Sequence, residues 1–445
     1  MNIRSLAAVV ACTLMATSVN AGPTEDALAV LEKCLAESRG CTRLNLSRVK
    51  DLETIPPEVF SQRSITSLNL DRLPITDLSP LEKMPWLQDL SLASTKAADL
   101  TPLGKLPLLN RLNLRNTEID LAGLGSIKGL RELYLDGSKT TDYSELSGLR
   151  ALKRLDLINS AVVDLSFVKS MGALEELSLR RTAVTDVGPI GELAALEKLN
   201  LAGTAVVDLS GIAGLPVLIS LNIADTAIVD LSPVADLPRL EVLHINSDTV
   251  SDLSPLAGLM AFERLEMNDS SVADLTPLSN IPTLTNITVW DSPVDDVTPL
   301  ASLTEIDQLN LSGPAELSDF SALASLTKLR SLSLQYTGVK DISFIADMEE
   351  LNSVDVHGSP ILDLSPLEGK EKLKTVNVDQ TGVTDLSFAA KIPNLRTLYL
   401  NKTKVTDLSP LIGLKELKSL SLREVEGLDE EQVKALEDQG VRINR

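Results

Sequence analysis

Aromatic side chains are scarce in this chain, in which six Phe, four Tyr and two Trp make up 3% of 445 residues. Because a large globular core is usually built around bulky rings, an aliphatic composition this poor in rings favours many thin, similar layers. The chain also has only two His and three Cys. That is too few for a zinc site built from matched histidines and cysteines.

Common catalytic motifs are missing as well. The sequence has no H-E-x-x-H, no G-x-S-x-G and no phosphate-binding loop, so we expect neither enzymatic activity nor a cofactor. Ser166 and Lys169 match the S-x-x-K form of penicillin-recognising enzymes, but the companion motifs are absent. We interpret this match as chance.

Long basic runs and long apolar runs are also absent. The formal net charge is -21, and no continuous basic stripe is available to displace counterions from a phosphate backbone, so we expect no nucleic-acid partner. Beyond the N-terminal segment, no stretch approaches the roughly 20 apolar residues that span a bilayer. We therefore expect no transmembrane segment.

Residues 1–21 differ in composition from the remainder. A basic Arg4, an apolar stretch from Leu6 to Met15 and a small-residue site ending at Ala21 predict a cleaved secretory signal peptide. A lipoprotein is the alternative, because V-V-A-C ending at Cys12 loosely matches a lipid-attachment box, although the apolar run before it is short. We expect a secreted or periplasmic protein, which we also expect to be monomeric.

Residues 22–43 are predicted to form an N-terminal helical cap. Thr24 is a candidate N-cap residue for a helix whose apolar side includes Leu31. Cys34 and Cys41 are close in sequence, and an oxidising compartment favours a disulfide between them, with two separate buried thiols as the alternative. Such a cap would cover the exposed core of the first repeat.

The rest of the chain repeats with a period close to 22 residues. Typical units are LNLAGTAVVDLSGIAGLPVLIS from Leu199 and LYLNKTKVTDLSPLIGLKELKS from Leu398, and about 17 such units occupy residues 44–422. The L-x-L pair that opens each unit places two leucines on one face of a short strand, and the strands are expected to stack in parallel. This periodicity predicts a solenoid.

The second half of each unit predicts a turn. Sixteen units carry an aspartate in this half, from Asp77 to Asp407. In D-L-S-P from Asp252, the carboxylate is suited to an Asx turn, Ser254 to a cap and Pro255 to the first position of a short helix. A Ser or Thr four residues before the aspartate is suited to bond the backbone. Calcium bridging along the carboxylate row is the alternative, but one carboxylate per unit supplies few ligands.

The pattern L-x-L-x-x-T-x-V-x-D-L-S-P-L-x-x-L-x-x-L, which extends from Leu44 to Leu422, resembles the internalin-type leucine-rich repeats of bacteria. The resemblance implies an α/β solenoid. It would be a right-handed superhelix with a long concave parallel β-sheet and short 3₁₀ or α turns on the convex side. The resemblance also implies that the concave sheet binds another protein.

Residues 423–445 are predicted to form a C-terminal cap. Asp429 and Gln432 have the spacing of a capping box, and Gly440 is suited to end the helix before a last strand containing Val441 and Ile443.

Candidate partner-binding residues lie where side chains alternate away from the leucines. Amphipathic aromatics and Arg are common interface anchors, and they recur in these columns or on the adjoining rim. The candidates are Arg111, Arg115, Tyr134, Arg154, Arg180, His244, Trp290, Tyr336, His357 and Tyr399. The arginines are predicted to gather around Tyr134, although cross-strand ion pairing would also explain them. We expect a non-catalytic protein-binding scaffold, with a carbohydrate- or cell-envelope-binding module as the alternative.

Overall fold

A computed structural model describes residues 22–37, 40–313 and 316–445. The predicted signal peptide and the alternative lipid-attachment site at Cys12 lie outside these ranges. The chain divides into two compact units, the first ending at Leu152 and the second covering Lys153–Arg445. Within the described ranges, no helix is both long enough and apolar enough to cross a membrane.

The N-terminal unit begins with helix α1, Pro23–Leu35. Its strands are β1 Arg43–Asn45, β2 Ser67–Asn69, β3 Asp89–Ser91, β4 Arg111–Asn113 and β5 Glu132–Tyr134. Each strand pairs in parallel with the next, and equivalent repeat positions are partners. Between these strands lie the 3₁₀ helices Pro57–Ser61, Ser79–Lys83, Thr101–Lys105 and Leu124–Ser126, and a fifth, Ser144–Gly148, follows β5.

The C-terminal unit continues the same alternation, and helix α2, Glu430–Asp438, precedes its last strand. Its strands, each parallel to the next, are β6 Arg154–Asp156, β7 Glu176–Ser178, β8 Lys198–Asn200, β9 Ser220–Asn222, β10 Val242–Ile245, β11 Arg264–Asn268, β12 Asn286–Trp290, β13 Gln308–Ser312, β14 Ser331–Ser333, β15 Ser353–Asp355, β16 Thr375–Asn377, β17 Thr397–Tyr399, β18 Ser419–Ser421 and β19 Arg442–Asn444. Its 3₁₀ helices are Ser166–Ser170, Gly188–Glu192, Ser210–Ile212, Ser232–Asp236, Ser254–Leu256, Thr276–Asn280, Thr298–Ser302, Ser321–Ser325, Ser343–Ile345, Ser365–Leu367, Ala389–Lys391 and Ser409–Leu411.

The core of each unit is a stack of leucine-rich layers. Leu68 and Leu70 are 1% and 0% exposed, and the leucines of the following 3₁₀ turn, such as Leu81, are equally buried. Because no single layer can bury its apolar face alone, each repeat depends on its neighbours for a core. The predicted repeat of strand and short turn is confirmed.

The aspartate row forms the corner between strand and turn. All sixteen aspartates accept a hydrogen bond from the backbone N–H two residues ahead, at 2.7–3.0 Å. The predicted Asx turn is therefore confirmed. The predicted capping role of Ser254 is wrong, because the 3₁₀ helix begins at Ser254 itself and Leu253 precedes it as the cap residue. Asp252 bonds the Ser254 N–H instead.

The threonines of the row that precedes the aspartates bond the backbone, as predicted, whereas the buried hydroxyl of Ser160 in the same row has no hydrogen-bond partner among the described residues. Thr95, for example, donates to the carbonyl of Leu92 at 2.7 Å. The threonines at the same position in other repeats make the same bond, as at Thr117, Thr182, Thr204, Thr226, Thr337, Thr381 and Thr403. Each bond satisfies a carbonyl where the chain leaves its strand.

The N-terminal end is closed by α1 and a disulfide. The bridge between Cys34 and Cys41 is present, with the Cα atoms 5.0 Å apart. Ala27 and Leu31 are the buried residues of α1. The predicted N-cap at Thr24 is wrong, because the helix starts one residue earlier at Pro23 and no side chain caps it.

The C-terminal end is closed by α2 and β19. Asp429 caps α2 by accepting from the Glu431 N–H at 2.9 Å, as predicted. Gln432 does not complete a capping box, because its side chain accepts from the Leu408 N–H at 2.6 Å and donates to Asp407 at 2.9 Å. The side-chain amide of Gln432 thereby links α2 to the last aspartate corner, at Asp407.

Candidate functional site

The candidate site lies on the side of each unit's sheet that faces away from the leucine core. In β2, for instance, Leu68 is buried while Ser67 and Asn69 on either side are partly exposed. This alternation follows from the two-residue period of a strand. We call this side of each unit's sheet the open face, and the sequence predicts the partner to bind there.

In the N-terminal unit, three predicted residues come together on the open face. The guanidinium carbons of Arg111 and Arg115 lie 5.2 and 4.5 Å from the centroid of the Tyr134 ring. Arg111 donates to the Tyr134 hydroxyl at 2.8 Å, and that hydroxyl donates to Glu132 at 2.7 Å. Arg115 pairs with Asp136. The predicted alternative of cross-strand ion pairing is thus present in this unit.

The packing of these arginines changes what the open face presents. Tyr134 is only 6% exposed, and burial, followed by the bond to Glu132, raises the pKa of its hydroxyl. The phenol is therefore held neutral. An approaching molecule would meet the guanidinium groups of Arg111 and Arg115 first, since the ring lies against them.

In the C-terminal unit, a charged cleft of about 340 Å³ opens on the open face. Arg154 pairs with Asp156 at 3.1 Å and with Glu176 at 2.9 Å, and Lys198 reaches Glu176 at 2.7 Å. Asp156 is 3% exposed, so its charge depends on these partners. Ser178 also lines the cleft, and its buried hydroxyl has no hydrogen-bond partner among the described residues.

The predicted gathering of Arg154 and Arg180 around Tyr134 would join residues of both units, and it stays a prediction. Arg180 is exposed.

Two further predicted residues lie elsewhere in the C-terminal unit. His244 lies at the edge of the charged cleft, with its Nδ1 2.7 Å from a Glu266 carboxylate oxygen. Tyr399 is 37% exposed on β17.

Three other predicted residues of the C-terminal unit, Trp290, Tyr336 and His357, form what we call the aromatic group. The Trp290 and Tyr336 rings meet edge to face, with centroids 6.3 Å apart and planes at 85°. The Tyr336 and His357 rings lie 4.8 Å apart. Tyr336 is 42% exposed, so the group presents aromatic surface to solvent.

The backbone of Tyr336 adopts the left-handed conformation, with a φ of 57°. The equivalent positions of the flanking repeats carry Gly313 and Gly358, at φ of 107° and 70°. A Cβ built on Gly358 would lie 2.5 Å from the Tyr336 ring, so the ring needs that glycine beside it. The sequence analysis missed this arrangement, although the two glycines flanking a tyrosine in one repeat column were a visible signal.

A half-buried carboxylate adjoins the aromatic group. Asp355 accepts hydrogen bonds from the His357 N–H and from the side chains of Gln335 and Asn377, each at 3.0 Å. Burial raises the pKa of Asp355, against the lowering effect of these donors. The bonds fix the backbone from which the His357 ring projects.

Other chemistry finds little support in the described part of the chain. No group of three or more His, Cys, Asp or Glu residues there is arranged to hold a metal ion. Ser166 of the S-x-x-K match donates to Asp164 at 2.7 Å, and Lys169 pairs with Glu192 at 3.3 Å. Both residues therefore have partners within the repeat scaffold.

Comparison with known proteins places the fold. The chain is similar in structure to an internalin, InlF, of Listeria monocytogenes, at 26% identity and a TM-score of 0.62, over 66% of this chain and 87% of that one. It is also similar to a leucine-rich-repeat protein of Leptospira interrogans, at 18% identity and a TM-score of 0.59, over 93% of this chain and 98% of that one. No protein-family model and no curated protein matches the chain.

A plant protein shares the fold. The leucine-rich-repeat ectodomain of a membrane receptor kinase from Arabidopsis thaliana, solved in complex with Casparian strip integrity factor 2, matches at 19% identity and a TM-score of 0.64, over 83% of this chain and 48% of that one. The internalin combines the same fold with the higher identity. Together with the stacked strands, 3₁₀ turns and aspartate corners, these likenesses show that the chain folds as a leucine-rich-repeat solenoid similar to that of the bacterial internalins.

Proposed function

We propose that this protein is an exported, non-catalytic scaffold that binds a partner protein through the open face of its repeats. The observation that carries the proposal is the aromatic group. Trp290, Tyr336 and His357 lie in direct contact and remain partly exposed. Amphipathic rings of this kind are common anchors of protein interfaces, because they bury a large area at a low cost in side-chain entropy.

The side chain at position 336 supports the same conclusion. The left-handed position that follows each strand is a feature of the repeat and carries non-glycine residues in most copies, for example Arg72, Asp225 and Gln380. In this unit, Tyr336 is the aromatic residue at that position, and it lies between repeats that carry Gly313 and Gly358 there. The choice of an exposed ring beside a glycine, rather than the backbone conformation, therefore favours recognition.

Export is supported by two features of the N-terminal region. The disulfide between Cys34 and Cys41 suits an oxidising compartment, and residues 1–21 match a secretory signal peptide. The plant receptor ectodomain with the same fold was solved in complex with Casparian strip integrity factor 2. That complex illustrates what the fold can do, and the binding face here is assigned from this chain's own residues.

The carbohydrate-binding alternative retains one observation in its favour, which is the compactness of the aromatic group. Sugar rings prefer flat aromatic platforms, however, and the Trp290 and Tyr336 planes meet at 85°. The edge-to-face arrangement offers an angled apolar surface, which suits an aliphatic or aromatic side chain that packs against the exposed sides of the rings. The experiments below distinguish the two functions, because they also measure the binding of purified cell-wall glycans.

Site-specific photo-crosslinking tests the proposal. Benzoylphenylalanine is placed at Tyr336 and, as a matched control, at Val229, which is 61% exposed but lies outside the open face. Crosslinking is carried out in the native envelope, and captured proteins are identified by mass spectrometry. We expect one protein to be captured from position 336 and not from position 229. Equal capture from both positions would exclude the open face as the interface.

Purified components then test the anchor. Trp290→Ser is expected to weaken binding of the captured protein at least 10-fold, because central aromatic anchors typically contribute about 2 kcal/mol or more. Leu362→Ser, which removes a 67% exposed side chain elsewhere in the same unit, is expected to leave binding unchanged. Binding of purified cell-wall glycans that is lost in Trp290→Ser, with no protein captured, would establish the carbohydrate function instead.

A further inference from the structure

A second cleft lies in the N-terminal unit, outside the residues used above except for Arg115. It has a volume of about 500 Å³ and lies where the chain leaves strands β1 to β4. Nine of its ten lining residues are polar, and the tenth is Ala93. With neither a large aliphatic nor an aromatic side chain in its lining, the cleft suits a ligand rich in charge and hydrogen-bonding groups.

The lining carries three arginines, and only one of them is neutralised. Arg115 pairs with Asp136. The guanidinium groups of Arg48 and Arg72 are exposed and make no ion pair or hydrogen bond with any residue of the described ranges. Each guanidinium carries five N–H donors in a planar fork that matches the two oxygens of a carboxylate.

One carboxylate and several neutral groups complete the lining. Asp71 adds one negative charge, but its carboxylate accepts hydrogen bonds from the Ala93 N–H at 2.9 Å and from the Ser91 hydroxyl. The side-chain amide of Asn116 has no hydrogen-bond partner among the described residues, and it lies at the same repeat position as Arg72. The cleft therefore has two unneutralised cations and a free amide against one engaged carboxylate.

Positive charge is concentrated in this cleft. Arg72 and Asn116 occupy the left-handed position that follows each strand, at φ of 62° and 54°. The same position in the C-terminal unit carries residues of both signs, Arg181 and Lys402 as well as Asp225, Asp269 and Asp291, so the position alone does not select a cation. The cleft is distinguished by two arginines without an ion-pair partner among the described residues that line one cavity, and on a chain with a net charge of -21 they would attract an acidic group.

We propose that this cleft binds an acidic peptide segment, with Arg48 and Arg72 each holding a side-chain carboxylate and the Asn116 amide bonding the peptide. Parallel strands are spaced about 4.8 Å apart, so a cleft across four strands accommodates about four extended residues. The lack of an aromatic platform favours a peptide over an acidic sugar. This site does not depend on the aromatic group.

Fluorescence anisotropy with a labelled, end-blocked tetraglutamate tests the proposal on the purified protein. Tetraglutamine of the same length, tetragalacturonate and citrate are the competing ligands. We expect tetraglutamate to bind and to be displaced poorly by all three. Arg48→Gln with Arg72→Gln is expected to weaken binding about 100-fold, since a hydrogen-bonded ion pair typically provides about tenfold for each arginine.

Arg131→Gln with Arg150→Gln is the matched control, because both arginines are exposed and neither lines the cleft. This variant loses the same charge and is expected to bind within about twofold of the wild type. Arg48→Lys with Arg72→Lys keeps the charge, and its intermediate loss would confirm that the planar fork is needed. Melting curves verify that each variant is folded.

Three results would overturn the proposal. The first is that tetraglutamate fails to bind the wild type. The second is that the control variant weakens binding as much as the cleft variant, which would indicate nonspecific attraction. The third is that tetragalacturonate or citrate displaces tetraglutamate at equal or lower concentration, which would assign the cleft to acidic sugars or to free carboxylates. None of these results bears on Trp290 or Tyr336.

Discussion

The hydroxyl of Tyr336 lies 2.9 Å from Nε2 of His357, and the Tyr336 backbone N–H donates to the His357 carbonyl at 2.8 Å. Two residues in adjacent repeats are thus joined through both side chain and backbone. The second bond holds Tyr336 in its left-handed conformation, and the first fixes the ring over Gly358. Binding geometry and backbone strain are consequently coupled at one position.

Two replacements of Tyr336 separate the cost of its left-handed backbone from the contribution of its ring. Tyr336→Ala removes the ring but keeps a Cβ at positive φ, whereas Tyr336→Gly removes both. We expect the glycine variant to be more stable than the alanine variant by about 1 kcal/mol, because an L side chain pays that cost in the left-handed region. Chemical denaturation measures the difference. An alanine variant as stable as the glycine variant would mean that the backbone is not strained.

Two glycines offer a second stability comparison. A Cβ on Gly211 would lie 2.5 Å from the Gly188 nitrogen and 2.6 Å from its Cα, so Gly211→Ala forces two adjacent turns apart and is expected to cost about 1–3 kcal/mol. Gly172 has open space around it, and Ala194 stands at the same position of the next repeat. Gly172→Ala is expected to stabilise by about 0.4–1 kcal/mol. Denaturation curves that rank the two variants in the opposite order would contradict this close packing.

The disulfide gives a prediction for the N-terminal unit. Cys34→Ala with Cys41→Ala opens a loop with a sequence separation of 7 residues, and the chain-entropy model assigns such a loop about 2.5 kcal/mol. We expect the free energy of unfolding to fall by about that amount. Wild-type protein unfolded in the presence of a reductant is the control and should match the variant. A difference between the oxidised protein and the variant below about 1 kcal/mol would mean that α1 docks without the bridge.

The sequence predicted the repeat, the parallel strands and the aspartate corners because each depends on short-range chemistry repeated many times, and it predicted the disulfide because Cys34 and Cys41 are close in sequence. It was less successful where one copy departs from the others. Gln432 has capping-box spacing, yet it bonds Asp407 of the preceding repeat, a choice that depends on how α2 packs. Tyr134 was predicted as an open anchor and is covered by arginines from adjoining positions, because contacts between repeats cannot be derived from the pattern within one.

Acid sensitivity is expected from the aspartate corners. At Asp252, the Ser254 side chain and then its backbone N–H lower the pKa of the carboxyl. Asp230 and Asp274 are lowered in the same way by their partners. A carboxyl with a folded pKa below its unfolded value of about 3.9 stabilises the fold above that pH, and the contribution is lost as the pH falls through the folded value. The melting temperature should therefore be steady from about pH 7 to 5 and drop below about pH 4.

A triple variant, Asp230→Asn, Asp252→Asn and Asp274→Asn, tests the cause. Asparagine accepts the same backbone hydrogen bond but does not titrate in this range. We expect its melting temperature at pH 7 to be lower than that of the wild type, because the neutral amide lacks the charge that these donors favour, and its decrease below pH 4 to be smaller. An acid-induced decrease as large as that of the wild type would place the sensitivity elsewhere in the chain.

Each aspartate corner closes on itself, because the carboxylate and the N–H that it bonds are two residues apart in the same copy. A copy that is duplicated or deleted therefore brings or removes its whole corner, and no other copy loses a partner. Gene duplication can lengthen or shorten such a chain in steps of one unit without further compensating change. The copy that contains Gly211 carries one further requirement, since a Cβ there would lie 2.5 Å from the Gly188 nitrogen of the preceding copy, so this position must remain glycine wherever the copy is placed beside such a turn.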